Sequence, residues 1–280
     1  MRIALFGASG FVGRHLAGAL RARGDEVRTG SLRDAATAAA LADGCDAIVN
    51  LAGEPIAQKW SDEVKLRIER SRTALPHAFL DAVATVAQRP TAYVSASAVG
   101  YYGTSEERTF TEVSGPGDDF LARVCVEWER EAERAAGLGM RVARIRTGVA
   151  LGAGGGVLER LVPPFKMGAG GKVGSGRQWY SWIHVADLVG VYLLALDGGE
   201  GALNATAPTP VRNEEFTHEL GKALHRPTLF AIPTFAIKNM LGEGAVAVLE
   251  GQRVLPERAQ AAGYTFAFPT IDAAFADIFR

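Results

Sequence analysis

An α/β fold built on a doubly wound parallel sheet is what this sequence predicts, and three features predict it. Short apolar runs alternate with stretches of helical periodicity between residues 2 and 146, as βαβ units require. Glycines spaced by three stand at the first strand-to-helix junction. After Ala150 the texture changes and glycine becomes dense, which marks a smaller C-terminal α+β lobe.

Arg2–Phe6 is an apolar run and reads as a buried strand. Phe11–Arg23 places Val12, Leu16, Ala19 and Leu20 at helical spacing, and Gly24 closes it as a C′ glycine. A second strand begins near Glu26, Asp34–Leu41 reads as a short helix, and Asp46–Leu51 as the third strand. A long helical stretch runs from Asp62 to about Ala87. A break is expected at Pro76, whose ring and missing N–H interrupt a helix. Ala92–Ser97 is the next strand, Asp119–Ala136 a charged amphipathic helix and Arg141–Arg146 a further strand.

Beyond Ala150, Gly152, Gly154, Gly155 and Gly156, then Gly168, Gly170, Gly171, Gly174 and Gly176, surround one short helix holding Pro163 and Pro164. Such density suits loops that fold over a ligand, or a loose connector. Val185–Leu196 reads as a helix, Leu203–Ala205 as a short strand, and the chain from Asn213 as mostly helical, with strand fragments near Leu229 and Phe266. The expected division is a sheet domain of residues 1–150, rejoined by 185–205, and a substrate lobe of 151–184 and 206–280.

At 280 residues, 48% of them apolar, the chain can bury a sizeable core. Its net charge of −1 provides no field to recruit nucleic acid or an anionic membrane. No apolar run reaches the roughly 18 residues that span a bilayer, and Met1 leads into a strand with no basic leader. Cys45 and Cys125 lie far apart without CxxC spacing, and no cluster of His, Cys and acids has metal-ligand spacing. The expectation is a cytoplasmic protein that handles a small molecule without a metal.

The strongest local signal is G-x-x-G-x-x-G: Gly7, Gly10 and Gly13, between strand and helix. Gly7 permits the tight turn, Gly10 lets the backbone approach a pyrophosphate, and Gly13 lets helix and strand pack closely. With Ser9, Phe11 and Val12, this turn would meet the phosphates at a helix N-terminus, where N–H groups and the helix dipole favour an anion. It is the arrangement of a Rossmann-type dinucleotide site. No Asp or Glu ends the second strand to mark NAD; Ser31 and Arg33 stand there instead. An arginine suits a 2′-phosphate by charge and fork geometry, so NADP(H) is expected over NAD(H), with a solvated loop as the alternative role for Arg33. Only about a dozen residues separate Ser31 from the strand near Cys45, so the adenosine side should be abbreviated.

Several longer segments carry a family resemblance: FGASGFVGRHL (6–16), DAIVNLAGEPI (46–56), SRT (71–73), SASAVGYYG (95–103), WERE (128–131), RIRTGVALG (144–152), PPFKMGAGGKVGSGRQWYSWIHVADL (163–188), NATAPTPVRNEEF (204–216) and GQRVLPERAQAAGYTFAFPT (251–270). With them the chain resembles the extended short-chain dehydrogenase/reductase superfamily, and within it NADP-binding "epimerase family" proteins with a characteristic C-terminal domain. The resemblance implies that Leu51, Ala52 and Gly53 line the cofactor, that Ser97 takes the place of a catalytic hydroxyl, and that the region of Arg177, Trp179 and Ser181 contacts a substrate diphosphate. A nucleotide sugar follows as a candidate substrate, and a monomer or a homodimer paired through the helices near Asp62 and Asp119 as the assembly.

The residues support part of this independently. Ser95 and Ser97 lie at a strand's carboxyl end, where open α/β sheets bind ligands, or serve as turn caps. Arg146, at the end of a buried strand, must face a ligand or an acid; by resemblance its segment lies near the nicotinamide. Arg177 beside Trp179 suits an anion with a ring to stack on, while His184 and Asp187 read as residues that fix their segment.

One departure matters. Hydride-moving members of the superfamily carry Tyr-x-x-x-Lys on the helix near Asp119. In DDFLARVCVEWERE those positions hold Leu121 and Cys125, or Phe120 and Val124 in the neighbouring register, and none of these does the work of that pair. The replacements to consider are Tyr101, Tyr102, Ser97 and Glu54, with core packing or solvated-loop roles as alternatives. Two functions therefore stand: an NADP(H)-dependent oxidoreductase or epimerase, or a non-catalytic NADP(H)-binding sensor or partner-binding protein.

Overall fold

Alternation along the first strand sets the two layers of the molecule. In β1 (Arg2–Phe6), Ile3 and Leu5 point to one face of the sheet and Ala4 and Phe6 to the other, and all four are buried. The computed structural model describes residues 1–280. β1 pairs in parallel with β2 (Glu26–Gly30) on one side and β3 (Ala47–Asn50) on the other. β4 (Ala92–Ala98), β5 (Arg141–Thr147) and β6 (Gly201–Ala205) extend the sheet in the order β2-β1-β3-β4-β5-β6, every pair parallel. Strands covered on both faces need apolar side chains throughout, which is why they read as unbroken apolar runs.

α1 (Phe11–Ala22) and α7 (Val185–Leu196) cover the Ile3/Leu5 face; α2 (Ala35–Ala42), α4 (Ala74–Val83) and α5 (Phe120–Glu133) cover the Ala4/Phe6 face. β2 is the sheet edge, and α2 crosses directly from it to β3. No further strand lies beyond β2, as the short spacing after Ser31 predicts.

The helical stretch from Asp62 divides at Thr73 rather than at Pro76, into α3 (Asp62–Arg72) and α4, which ends at Val83. Pro76 sits in the first turn of α4, where its missing N–H costs nothing because that group has no intrahelical partner. No strand forms at Phe266. The amides of Ala267 and Phe268 donate instead to the Asp187 carboxylate, at 2.8 and 2.9 Å, so no ladder is available there. The fragment near Leu229 is real: Phe230–Ile232 pairs in parallel with Gly171–Val173.

A second core gathers α6 (Leu158–Lys166), α8 (Asn213–Ala223) and the C-terminal helix Ile271–Ile278 around the fully buried Trp182. Short strand pairs tie this lobe to the sheet region, among them Val149–Leu151 with Trp182–His184 and Thr109–Phe110 with Arg253–Val254. No helix is long and apolar enough to cross a membrane.

Candidate functional site

The first βα turn is shaped by backbone contacts that exclude side chains. Gly7 has φ +82°, and a Cβ there would lie 2.8 Å from the Leu51 carbonyl carbon. A Cβ at Gly13 would overlap the Gly7 carbonyl oxygen. Gly10 caps α1 without a side-chain hydrogen bond, and the first turn carries no acid. The leading N–H groups and the positive end of the helix dipole are thus left for an anion. Asn50 braces the end of β3: its Oδ1 accepts from the Ala52 amide at 3.0 Å, and its Nδ2 donates to the Tyr93 hydroxyl at 3.1 Å. The cradle fits a dinucleotide pyrophosphate.

The glycine-rich segment 152–156 closes against this turn. A Cβ at Gly152 or Gly155 would lie 2.9 or 2.6 Å from the Phe11 ring, so glycine is what lets the loop seat on it. Arg14 fastens the two, donating to the Ser9 carbonyl at 2.8 Å and to Gly154 at 3.3 Å. Beyond β2, Ser31 and Arg33 are exposed, and the Arg33 guanidinium has no ion pair.

Behind the carboxyl ends of β4 and β5 lies a buried polar network. Arg146 and Glu129 are each 4% exposed and pair through two hydrogen bonds of 2.8 Å. Ser97 donates to Glu129 Oε1 at 2.7 Å. Arg146 Nη1 donates to the Tyr102 hydroxyl at 2.9 Å, which donates to Asn204 Oδ1 at 2.7 Å. Burial pushes the Tyr102 phenol up, against the lowering effect of Arg146. The Arg146 guanidinium also lies 3.5 Å from the centroid of the partly buried Tyr101 ring. Of a ligand or an acid, Arg146 meets the acid.

A cleft of about 380 Å³ opens between the sheet's carboxyl edge and the lobe, within the usual range for ligand pockets. Gly156 lines it and also packs on Phe11, so the cleft adjoins the phosphate turn. Its wall on α5 is Leu121, Val124, Cys125 and Trp128. A Cβ at Gly100 would lie 3.5 Å from the Leu121 Cβ and 3.9 Å from the Cys125 sulfur. Burial pushes the Cys125 thiol up to about 12, so it gives up no proton near neutrality. None of Glu54, Ser97, Tyr101 and Tyr102 lies in the cleft wall.

A family model described as "NAD dependent epimerase/dehydratase family" matches residues 3–205. The chain belongs to that family. A second model, "Domain of unknown function (DUF1731)", matches residues 232–278, within the lobe. The chain is 45% identical over 291 residues to the chloroplastic epimerase family protein SDR39U1 homolog of Arabidopsis thaliana, covering 96% of this chain and 84% of that one. The crystal structure of human epimerase family protein SDR39U1 (isoform 2) with NADPH superposes with a TM-score of 0.94 at 35% identity, over 100% of this chain and 99% of that chain. A nucleoside-diphosphate sugar epimerase from Corynebacterium glutamicum, also 35% identical, gives a TM-score of 0.81 over 100% of this chain and 58% of that one.

Within this member of the epimerase/dehydratase family, the other sequence-derived candidates take varied places. Glu54 is held outside the cleft, accepting from Gln58 at 3.2 Å and Arg67 at 3.4 Å. Ser95 is buried and donates to the Ala96 carbonyl at 3.0 Å. Arg177 is exposed and pairs with Glu106 at 3.0 Å, away from the cleft wall. Trp179 and Ser181 do line the cleft. Ser181 Oγ donates to the Gln252 carbonyl at 2.7 Å and accepts the Val254 amide at 2.9 Å, so it fastens the lobe segment. Trp179 lies under the Arg212 guanidinium, 3.8 Å from the ring centroid.

Two positions of the candidate site escaped the sequence reading. Glu129, in WERE, is the buried acid that Arg146 needs, and the cost of an unpaired buried charge was the available signal. Arg72, in SRT, lines the cleft beside Trp128 and Cys125. On a helix with three other arginines and lysines nothing local distinguishes it.

Proposed function

We propose that this chain binds NADP(H) across the first βα turn and acts as an oxidoreductase on a small molecule held in the adjoining cleft. One observation carries the reading: an uncapped, acid-free helix start, built on glycines that tolerate no side chain, adjoins a largely apolar cleft at the sheet's carboxyl edge. The NADPH named in the human relative's structure supports the choice of cofactor. Gly7, Gly10 and Gly13, with the amides of Phe11 and Val12, would hold the pyrophosphate. Leu51, Ala52 and Gly53 would flank the ribose at the end of β3, and Ser31 and Arg33 the 2′-phosphate. The bound cofactor supplies a hydride. The apolar wall on α5 keeps water from the reacting face.

Reduction is favoured over epimerisation, although both exchange a proton at the substrate oxygen. Reduction needs one delivered to the alkoxide, which solvent at the cleft mouth can supply, whereas epimerisation needs a group that removes the hydroxyl proton and returns it. Ser97 and Tyr102 are committed to Glu129 and Asn204, and by resemblance the superfamily's acid and lysine positions hold Leu121 and Cys125, or Phe120 and Val124 in the neighbouring register. The same commitments favour a second reading, a non-catalytic NADP(H)-binding protein. Incubation of the protein with NADPH and a panel of carbonyl compounds and nucleotide sugars, followed at 340 nm, separates the two. Oxidation by any panel member supports the enzyme; silence across the panel with NADPH binding intact supports the sensor.

A further inference from the structure

The arginines that reach into the interior each have an acid or a set of carbonyls to hold them, Arg72 excepted; Arg144 pairs with Glu133 at 2.9 Å. Arg146 has Glu129 and Tyr102. Arg141 donates to the carbonyls of Ala195, Leu196 and Gly199. Arg72 has no ion pair: only its Nη1 is bonded, weakly, to the Ile68 carbonyl at 3.3 Å and to Ser71 Oγ at 3.2 Å. Its Nε and Nη2 have no protein partner, although the residue forms part of the cleft wall. Glu54, a neighbouring carboxylate, is held by Gln58 and Arg67.

The surroundings hold this cation in place. Gly53 makes room for it, since a Cβ there would lie 3.2 Å from the Arg72 Cζ. On its other side the guanidinium stands 4.9 Å from the Trp128 ring centroid, and the buried Trp128 indole N–H also lacks an acceptor. Desolvation lowers the Arg72 pKa, yet an arginine remains protonated in a protein. A half-buried guanidinium, held on two sides and with free donors, is the arrangement that binds carboxylate or phosphate by a two-pronged contact.

We propose that Arg72 anchors an anionic group, a carboxylate or a phosphate, of the small molecule that occupies this cleft. The rest of the wall sets the molecule's character. Leu121, Val124, Val246 and Val248 offer only apolar surface, so the body of the ligand is hydrophobic or aromatic rather than a bare sugar. The two carboxylates in the wall are engaged: Asp119 caps α5 through the Ala122 amide, and Glu250 accepts from Thr104. The proposal rests on reading this cleft as the substrate side of the NADP(H) site.

Binding of benzoate and of its neutral isostere benzamide to the full chain with NADPH, read by tryptophan fluorescence, tests it. Benzoate is expected to bind at least tenfold tighter than benzamide. Arg72→Met should erase that preference and Arg72→Lys should retain part of it, with NADPH affinity changed less than threefold in both. Equal binding of the two probes by the wild-type chain overturns the proposal, and that comparison needs no variant to fold. If Arg72→Met instead weakens NADPH tenfold or more and keeps the benzoate preference, the anion is the cofactor's own phosphate and the proposal also fails. If the wild type binds no NADPH but still prefers benzoate through Arg72, the cofactor reading fails and the anchor stands.

Discussion

Glu129 and Arg146 face each other edge to edge in the interior, Nε to Oε1 and Nη2 to Oε2, each at 2.8 Å. α5 supplies the acid and β5 the base, so the pair fixes the helix that walls the cleft against the sheet that carries it. Glu129→Ala leaves a buried guanidinium uncompensated and should cost about 3–5 kcal/mol in urea unfolding. Ser97→Ala removes one hydrogen bond to the same carboxylate and should cost about 1 kcal/mol. If Ser97 instead carried the chemistry, its removal would abolish turnover with stability unchanged.

The phosphate turn separates steric from ligand effects. Gly10 sits at φ −71°, a conformation any residue adopts, and a Cβ there meets only the Gly7 carbonyl oxygen, at 3.3 Å. Gly10→Val should therefore fold while blocking the approach of the pyrophosphate. A loss of tenfold or more in NADPH affinity, about 1.4 kcal/mol, is expected by fluorescence titration, with a small change in Tm. Gly13→Ala should lower both Tm and affinity, because its Cβ overlaps backbone. Unchanged NADPH binding by Gly10→Val would remove the basis for the cofactor assignment.

What the sequence made legible, and what it did not, follows the range of the forces involved. β1, β3 and β4 are buried on both faces, so their character is written in consecutive residues; the glycine turn likewise depends on neighbours within a few positions. The short crossover after Ser31 announced by length alone that no further strand follows β2. Arg72 was illegible because its meaning depends on Gly53 and Trp128, brought to it from β3's end and from α5. The glycines of 152–156 were visible but not their reason, a phenylalanine on the far side of the sheet domain's first turn. Ser97 looked like chemistry because strand ends are where chemistry happens, and Tyr102 because it is a phenol just beyond it; only the fold brings Glu129 and Asn204 to them.

Cofactor preference is testable at the edge strand. Arg33 is exposed just past β2, beside Ser31, with no acid to neutralise it. Charge-assisted hydrogen bonds contribute about 1.5–3 kcal/mol. Arg33→Ala should thus weaken NADPH roughly ten- to a hundredfold while leaving NADH affinity unchanged. Parallel titrations of wild type and variant check this, and an equal loss for both cofactors would point to a fold defect instead.

His184 links stability to pH at the start of α7. It caps α7: its Nδ1 accepts the Ala186 amide at 3.2 Å, which only the unprotonated nitrogen can do. The ring packs on Phe268 at 3.9 Å between centroids. Burial lowers its pKa from the ordinary 6.5, with Asp277 and Asp187 opposing. The unfolded chain therefore takes up this proton at a higher pH than the folded one. The stabilisation is complete above about pH 6.5 and is lost as pH falls from there towards the lowered folded value. His184→Asn keeps a capping acceptor and removes the titration. Urea midpoints at pH 8 and pH 5 should show wild type losing more stability than the variant on acidification. Parallel losses in the two proteins would mean that the proton goes elsewhere.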